Sequence, residues 1–140
     1  MHSPDHSPTH TLRMILADGS AIMRAGIKRM LSDTHEIEIV DERTDARSTI
    51  AAIRELRPDI VMLDFYLAAG TAVEVLQACQ TMKPRPLCIV HTEYAEPGIR
   101  AISYAAGADV FYDDGRDIAP LLTMMRKLAF ALLEPQAALA

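Results

Sequence analysis

Four short polar clusters stand at the ends of apolar runs: Asp18-Gly19-Ser20, Asp64, His91-Thr92 and Asp113-Asp114. Each follows a stretch too apolar to face water, so each marks a place where a buried segment emerges. Carboxylates gathered beside a hydroxyl are hard oxygen donors, which suit a cation such as Mg²⁺. A carboxylate next to a bound cation can also accept a phosphoryl group as a nucleophile. An isolated Asp at a strand end is more often a helix cap or turn residue. Asp64 rises above that reading because Asp59-Ile60-Val61-Met62-Leu63-Asp64 sets four apolar residues between two acids, the pattern of a covered central strand. Thr92, a cap when taken alone, becomes a functional hydroxyl when placed beside Asp64. His91 reads as a pocket-edge or packing residue rather than a catalytic base.

The elements that position these clusters follow from an apolar pattern that switches between two periods. Leu12–Ala17 is a buried strand. Ala21–Leu31 is helical, with Ile22, Met23, Ile27, Met30 and Leu31 on one stripe. Ile37–Val40 alternates with Glu36 and Glu38 as an edge strand does. Thr44 caps a helix carrying Ile50, Ile53 and Leu56, which Pro58 stops. After the strand ending at Asp64, Ala72–Met82 is helical with Val73, Leu76 and Cys79 as its stripe, and Leu87–Val90 is a fourth strand. Pro97 fits the first turn of a helix running to Ala106, and Gly107 its C-terminal cap. Val110–Tyr112 is a fifth strand, and the last helix runs from about Asp117 to Leu133. Strand and helix alternate five times with short connections, which implies a parallel sheet with helices on both faces. In such a sheet, ligands bind beyond the carboxyl ends of the strands, where the four polar clusters converge.

The chain has 140 residues, enough for one domain, and half of them are hydrophobic. A net charge of −5 and the absence of a Lys/Arg cluster argue against direct nucleic-acid binding. No apolar run approaches the ~20 residues that span a bilayer, and the N-terminus lacks a signal peptide's apolar core. A cytoplasmic location with no membrane partner is expected. Residues 1–11 are expected to be a disordered tail, 12–134 the folded domain and 135–140 a C-terminal tail. Cys79 and Cys88 lack metal-ligand spacing and read as reduced core residues.

These motifs together resemble the receiver domain of bacterial two-component response regulators. Ile15-Leu16-Ala17-Asp18-Gly19-Ser20-Ala21-Ile22-Met23-Arg24-Ala25-Gly26-Ile27 looks like the family's first strand and helix, nearest the branch that carries a helix-turn-helix. Pro58–Asp64 looks like the phospho-acceptor strand. Ile89-Val90-His91-Thr92 resembles the switch-hydroxyl strand, and Ala106-Gly107-Ala108-Asp109 the turn before strand five. The resemblance implies a flavodoxin-like, doubly wound five-stranded parallel sheet of order 2-1-3-4-5. It also implies a non-enzymatic regulatory domain in phosphorelay signalling. Asp64 would be the phospho-acceptor, with Mg²⁺ held by Asp18, Asp64 and the backbone carbonyl of Tyr66. Thr92 and Phe111 would be the switch pair. A histidine kinase or phosphotransfer protein would be the partner, and the last helix a homodimer face.

Two departures matter. The family's acidic pair reads Asp18-Gly19, which removes one carboxylate, and the family's lysine falls on Asp114. Replacing that cation by an anion turns attraction into repulsion, on the order of 4 kcal/mol per contact at an effective dielectric of ~20. A phosphoryl group adds nearly two more negative charges, so phospho-Asp64 is expected to be poorly stabilised. Asp114 joining Asp18 and Asp64 around a cation, or Arg116 swinging in, would compensate. The alternatives are a phosphorylation-independent pseudo-receiver acting as an interaction module and, more remotely, an aspartyl-nucleophile phosphatase. The phosphatase would want an acid where Tyr66 stands. In the last helix Leu128, Phe130 and Leu132–Leu133 exceed what a short sheet can cover. Glu134–Ala140 is too short to be a helix-turn-helix.

Overall fold

The computed structural model describes residues 11–113 and 117–139, with side chains through residue 133 in the last helix. The expectations for residues 1–10, Asp114 and Arg116 lie outside the described residues. Within them the elements are β1 (Leu12–Ala17), α1 (Ala21–Met30), β2 (Ile37–Arg43), α2 (Ala46–Leu56), β3 (Ile60–Asp64), α3 (Ala72–Cys79), β4 (Leu87–Thr92), α4 (Ile99–Ala106), β5 (Val110–Asp113) and α5 (Ala119–Leu139). The strands form one sheet in the order β2-β1-β3-β4-β5, and every pairing is parallel. This is the flavodoxin-like order.

The three inner strands are covered on both faces, and the two-residue strand period divides their side chains between two layers. Met14, Leu16, Met62 and Ile89 pack with Ile27 of α1 and with Leu121, Leu122 and Met125 of α5. Ile15, Ala17, Val61, Leu63, Val90 and Phe111 pack with Ile53 of α2, Leu76 of α3 and Ile99 of α4. Burying one such aliphatic side chain contributes about 1.5–3 kcal/mol. A one-residue slip of β3 would exchange both layers, so its register is fixed by several such terms at once. The same register decides which layer each terminal polar residue joins. Cys79 and Cys88 are free thiols buried in the second layer. Their mutual hydrogen bond and burial push the Cys88 thiol up.

Several boundaries differ from the sequence expectation for identifiable reasons. The cap of α2 is Asp45, whose Oδ1 accepts from the Ser48 amide at 3.0 Å, and Thr44 lies one residue earlier. Strand β2 continues past Val40 to Arg43 because a bulge re-phases the pairing from Met14↔Ile39 to Ile15↔Asp41. Helix α3 ends at Cys79 rather than Met82. Pro97 stands outside α4, whose N-cap is Gly98 at φ 92°, a left-handed conformation that no helical residue shares. On α1 the expected stripe is half realised: Ile27 and Leu31 are buried, but Ile22 is 86% exposed. Helix α5 does not stop at Leu133. It runs to Leu139, across residues assigned to a tail.

Candidate functional site

Asp18, Asp64 and His91 have the same strand parity as Leu16, Met62 and Ile89, so all three fall on the α1/α5 side of the sheet. Asp64 and His91 are register partners across β3 and β4. Asp18 is buried at the end of β1. Its Oδ1 accepts the Ser20 amide at 2.8 Å, and its Oδ2 lies 3.4 Å from Nε2 of the buried His91. Ser20 then caps α1 by accepting the Met23 amide. Arg24 reaches back from the first turn of α1 and donates to the Asp18 carbonyl at 2.6 Å. It also donates to Glu42 of β2 at 3.2 Å. The Lys28 ammonium bonded to Glu42, assisted by Arg24 and opposed by partial burial, holds that carboxyl below its usual range.

Asp64 is half-buried at the end of β3 and accepts the Tyr66 amide at 3.3 Å. Together these groups line a cleft of about 400 Å³. Its polar lining includes Asp18, Asp64, Glu93 and Asp117 beside His91, and its apolar lining includes Met23, Ile27, Met30 and Ile118. Gly26 helps to open it, since a Cβ there would meet nothing within 4 Å.

Thr92 and Phe111 belong to the other layer. Thr92 is buried, and its Oγ1 accepts the Tyr94 amide at 3.2 Å. Phe111 is buried in the α2–α4 core, where its amide donates to the Tyr104 hydroxyl at 3.1 Å. The Arg100 guanidinium lies 5.6 Å and 5.8 Å from the Tyr104 and Phe111 ring centroids, within cation–π range. Above this layer the Tyr66 hydroxyl donates to Glu96 at 2.5 Å, joining the loop after β3 to the loop after β4. That bond, ahead of burial and the Glu96 and Asp64 charges, raises the Tyr66 pKa. The expected site residues therefore gather at one edge of the sheet but separate into an acidic group and a switch group.

Gly19 abuts the loop after β3. A Cβ there would lie 3.2 Å from the Ala68 amide nitrogen, which itself donates to the Thr44 carbonyl at 2.8 Å. The oxygens of Asp18 and Asp64 have the donor chemistry for Mg²⁺. As a coordination shell they fit poorly, because both Asp18 oxygens and one Asp64 oxygen already face protein nitrogens. Among the described residues no group of three or more His, Cys, Asp or Glu side chains is arranged to hold a metal ion.

Arg24 and Glu96 were not picked out by sequence as site-forming, and His91 was expected only at the pocket edge or in packing. The signal for His91 was its parity with Ile89 rather than Val90, which puts the imidazole in the layer of Asp18.

The profile of the response regulator receiver domain matches residues 14–122. A protein-glutamate methylesterase/protein-glutamine glutaminase of Geobacillus kaustophilus is 33% identical over 99 residues, covering 69% of this chain and 28% of that protein. The chain spans about a quarter of the length of the curated relatives it matches. Among solved structures, a LuxR-family two-component response regulator from Aurantimonas sp. SI85-9A1 superposes with a TM-score of 0.76 at 23% identity, covering 86% of each chain. The response regulator domain of Thermotoga maritima CheB superposes with a TM-score of 0.74 at 21% identity, covering 86% of this chain and 97% of that one. Among the described residues no helix is long and apolar enough to cross a membrane. With the fold, the strand order and the profile in agreement, the chain belongs to the response regulator receiver domain family and is a receiver domain of two-component signalling.

Proposed function

We propose that Asp64 is the phospho-acceptor and that Thr92 and Phe111 are the switch pair that reports its state to a protein partner. The observation that carries this reading is the position of Asp64. It is half-buried at the end of a central strand, flanked by Asp18 of β1 and by the end of β4, where Thr92 stands. An accessible carboxylate on a rigid strand can attack a phosphohistidine: a P–O bond forms at Asp64, the P–N bond breaks, and the imidazole leaves with the proton. The donor would be a histidine kinase or phosphotransfer protein. Thr92 and Phe111 lie in the layer of α4, so a change at Asp64 reaches that surface through β4 and β5. The domain regulates by contact and turns over no substrate of its own. The exposed Phe130 and Leu132 on α5, 57% and 49% accessible, support a second copy of the chain as a further partner.

The test is incubation with phosphoramidate followed by intact-mass analysis. A phosphoryl adduct on the wild-type chain that disappears in Asp64→Ala is the expected result, with a short lifetime. No adduct under conditions that label an ordinary receiver would overturn it.

A second reading is a phosphorylation-independent interaction module. Gly19 and the His91–Asp18 contact favour it, since both weaken the acidic side of the pocket. It predicts partner binding indifferent to Asp64→Ala.

A further inference from the structure

We infer that Tyr66 is a latch between Asp64 and the loop before α4, and that the state of Asp64 reaches residues 93–98 through this one side chain. The inference deepens the reading of Asp64 as acceptor and rests on it. The Tyr66 amide donates to Asp64 Oδ1 at 3.3 Å, and its hydroxyl donates to Glu96 at 2.5 Å. From Glu96 the bonds lead back to β4. Its amide donates to the Tyr94 carbonyl at 2.9 Å, and the Tyr94 amide donates to Thr92 Oγ1 at 3.2 Å. A chain of hydrogen bonds therefore joins Asp64 to Thr92 without crossing the sheet. Its Tyr66 end is fixed. Phe65 is buried, its amide donates to the His91 carbonyl at 3.0 Å, and its ring meets the Tyr66 ring edge-on with centroids 5.0 Å apart. Tyr66 also pairs with Thr71 across the loop after β3. The other end is free to move. Residues 93–98 are all exposed. Among the described residues, the Tyr66–Glu96 bond is their one hydrogen bond to an element other than β4 and α4. A phosphoryl group on Asp64 adds nearly two negative charges beside the residue that holds the Glu96 carboxylate, and like charges repel. The exposed loop yields before the packed strand does.

The experiment is hydrogen–deuterium exchange of the full chain, read by mass spectrometry on the peptides that span residues 93–99. Tyr66→Phe removes one hydroxyl and keeps the ring. It is expected to speed exchange in those peptides about fivefold, the scale of one hydrogen bond, and to leave β1 and β3 as they are. Asp64→Ala takes away an acceptor of the Tyr66 amide. It is expected to speed the same peptides about threefold when Tyr66 is present and not at all in the Tyr66→Phe background. Should Asp64→Ala not fold by circular dichroism, Asp64→Asn carries the same expectation at smaller amplitude. Unchanged exchange in Tyr66→Phe would overturn the inference. Equal acceleration by the Asp64 substitution in both backgrounds would overturn it too, by giving Asp64 a route that bypasses Tyr66. An Asp64 substitution that alters neither background would likewise end it. Phosphoramidate labelling is scored separately, so absence of an adduct with the exchange pattern intact removes the acceptor reading and leaves the latch standing.

Discussion

The two faces of the sheet treat their terminal polar residues differently. On the α1/α5 face, Asp18 and His91 are sealed against each other, and Asp64 opens into an acidic cleft. On the α2–α4 face, Thr92 and Phe111 are buried but bonded to backbone and hydroxyl groups of the α4 side, under loops tied together by Tyr66 and Glu96. In the reading proposed above, the first face would carry the chemistry and the second the route to the surface. The two groups share β4, where His91 and Thr92 are neighbours in sequence and differ by a single residue of parity. A site of this kind separates where a charge is placed from where its effect is read, because a packed sheet relays displacement but not charge.

The largest test of that division is Phe111→Ala. Removing a buried aromatic from the α2–α4 layer should destabilise the domain by about 3–5 kcal/mol in urea unfolding. Its Mn²⁺ affinity should remain that of the wild type. A changed affinity would break the separation of the faces.

Gly19→Ala is expected to cost less, about 1 kcal/mol, because the added methyl presses on an Ala68 amide that Thr44 already holds. Calorimetric unfolding checks it, and an unchanged melting temperature would show that the loop after β3 yields freely. Glu42→Gln should cost about 0.2–1 kcal/mol, since its partners Lys28 and Arg24 are partly solvated. The folded Glu42 pKa is depressed, so its contribution is present above the ordinary 4.5 and is lost as pH falls through the folded value. The wild-type and Gln stabilities should therefore converge in acid.

The smallest effect concerns the loops over the switch layer. The Tyr66 pKa is raised, so the contribution of its bond to Glu96 is present below the ordinary value of 10.0 and is lost as pH rises through the folded value. In an absorbance titration one tyrosine should ionise late, and Glu96→Gln should bring it earlier. No difference between the two titrations would remove the tie between the loops.

Much of this was legible in the residues. The apolar run from Ile60 to Leu63 between acids is enough to make Asp64 the end of a covered strand, and the two alternating periods are enough for a doubly wound sheet. Element ends were less legible. Thr44 and Asp45 are both good caps, and only the fold chose Asp45. Pro97 suits a first turn, yet the left-handed Gly98 excludes it. The last helix, expected to end near Leu133, continues to Leu139.

The sequence by itself determined the family resemblance, the five-fold alternation and which polar residues end the strands, because hydrophobic period and motif spacing are local properties. The tertiary structure alone decided which of them touch. That His91 meets Asp18 across 73 positions of chain follows from two strands being laid beside β3 in one register. That Thr92, its immediate neighbour in sequence, faces the opposite layer follows from the pleat. A contact between distant strands depends on register and parity summed over the whole sheet, and no short stretch of residues carries that sum.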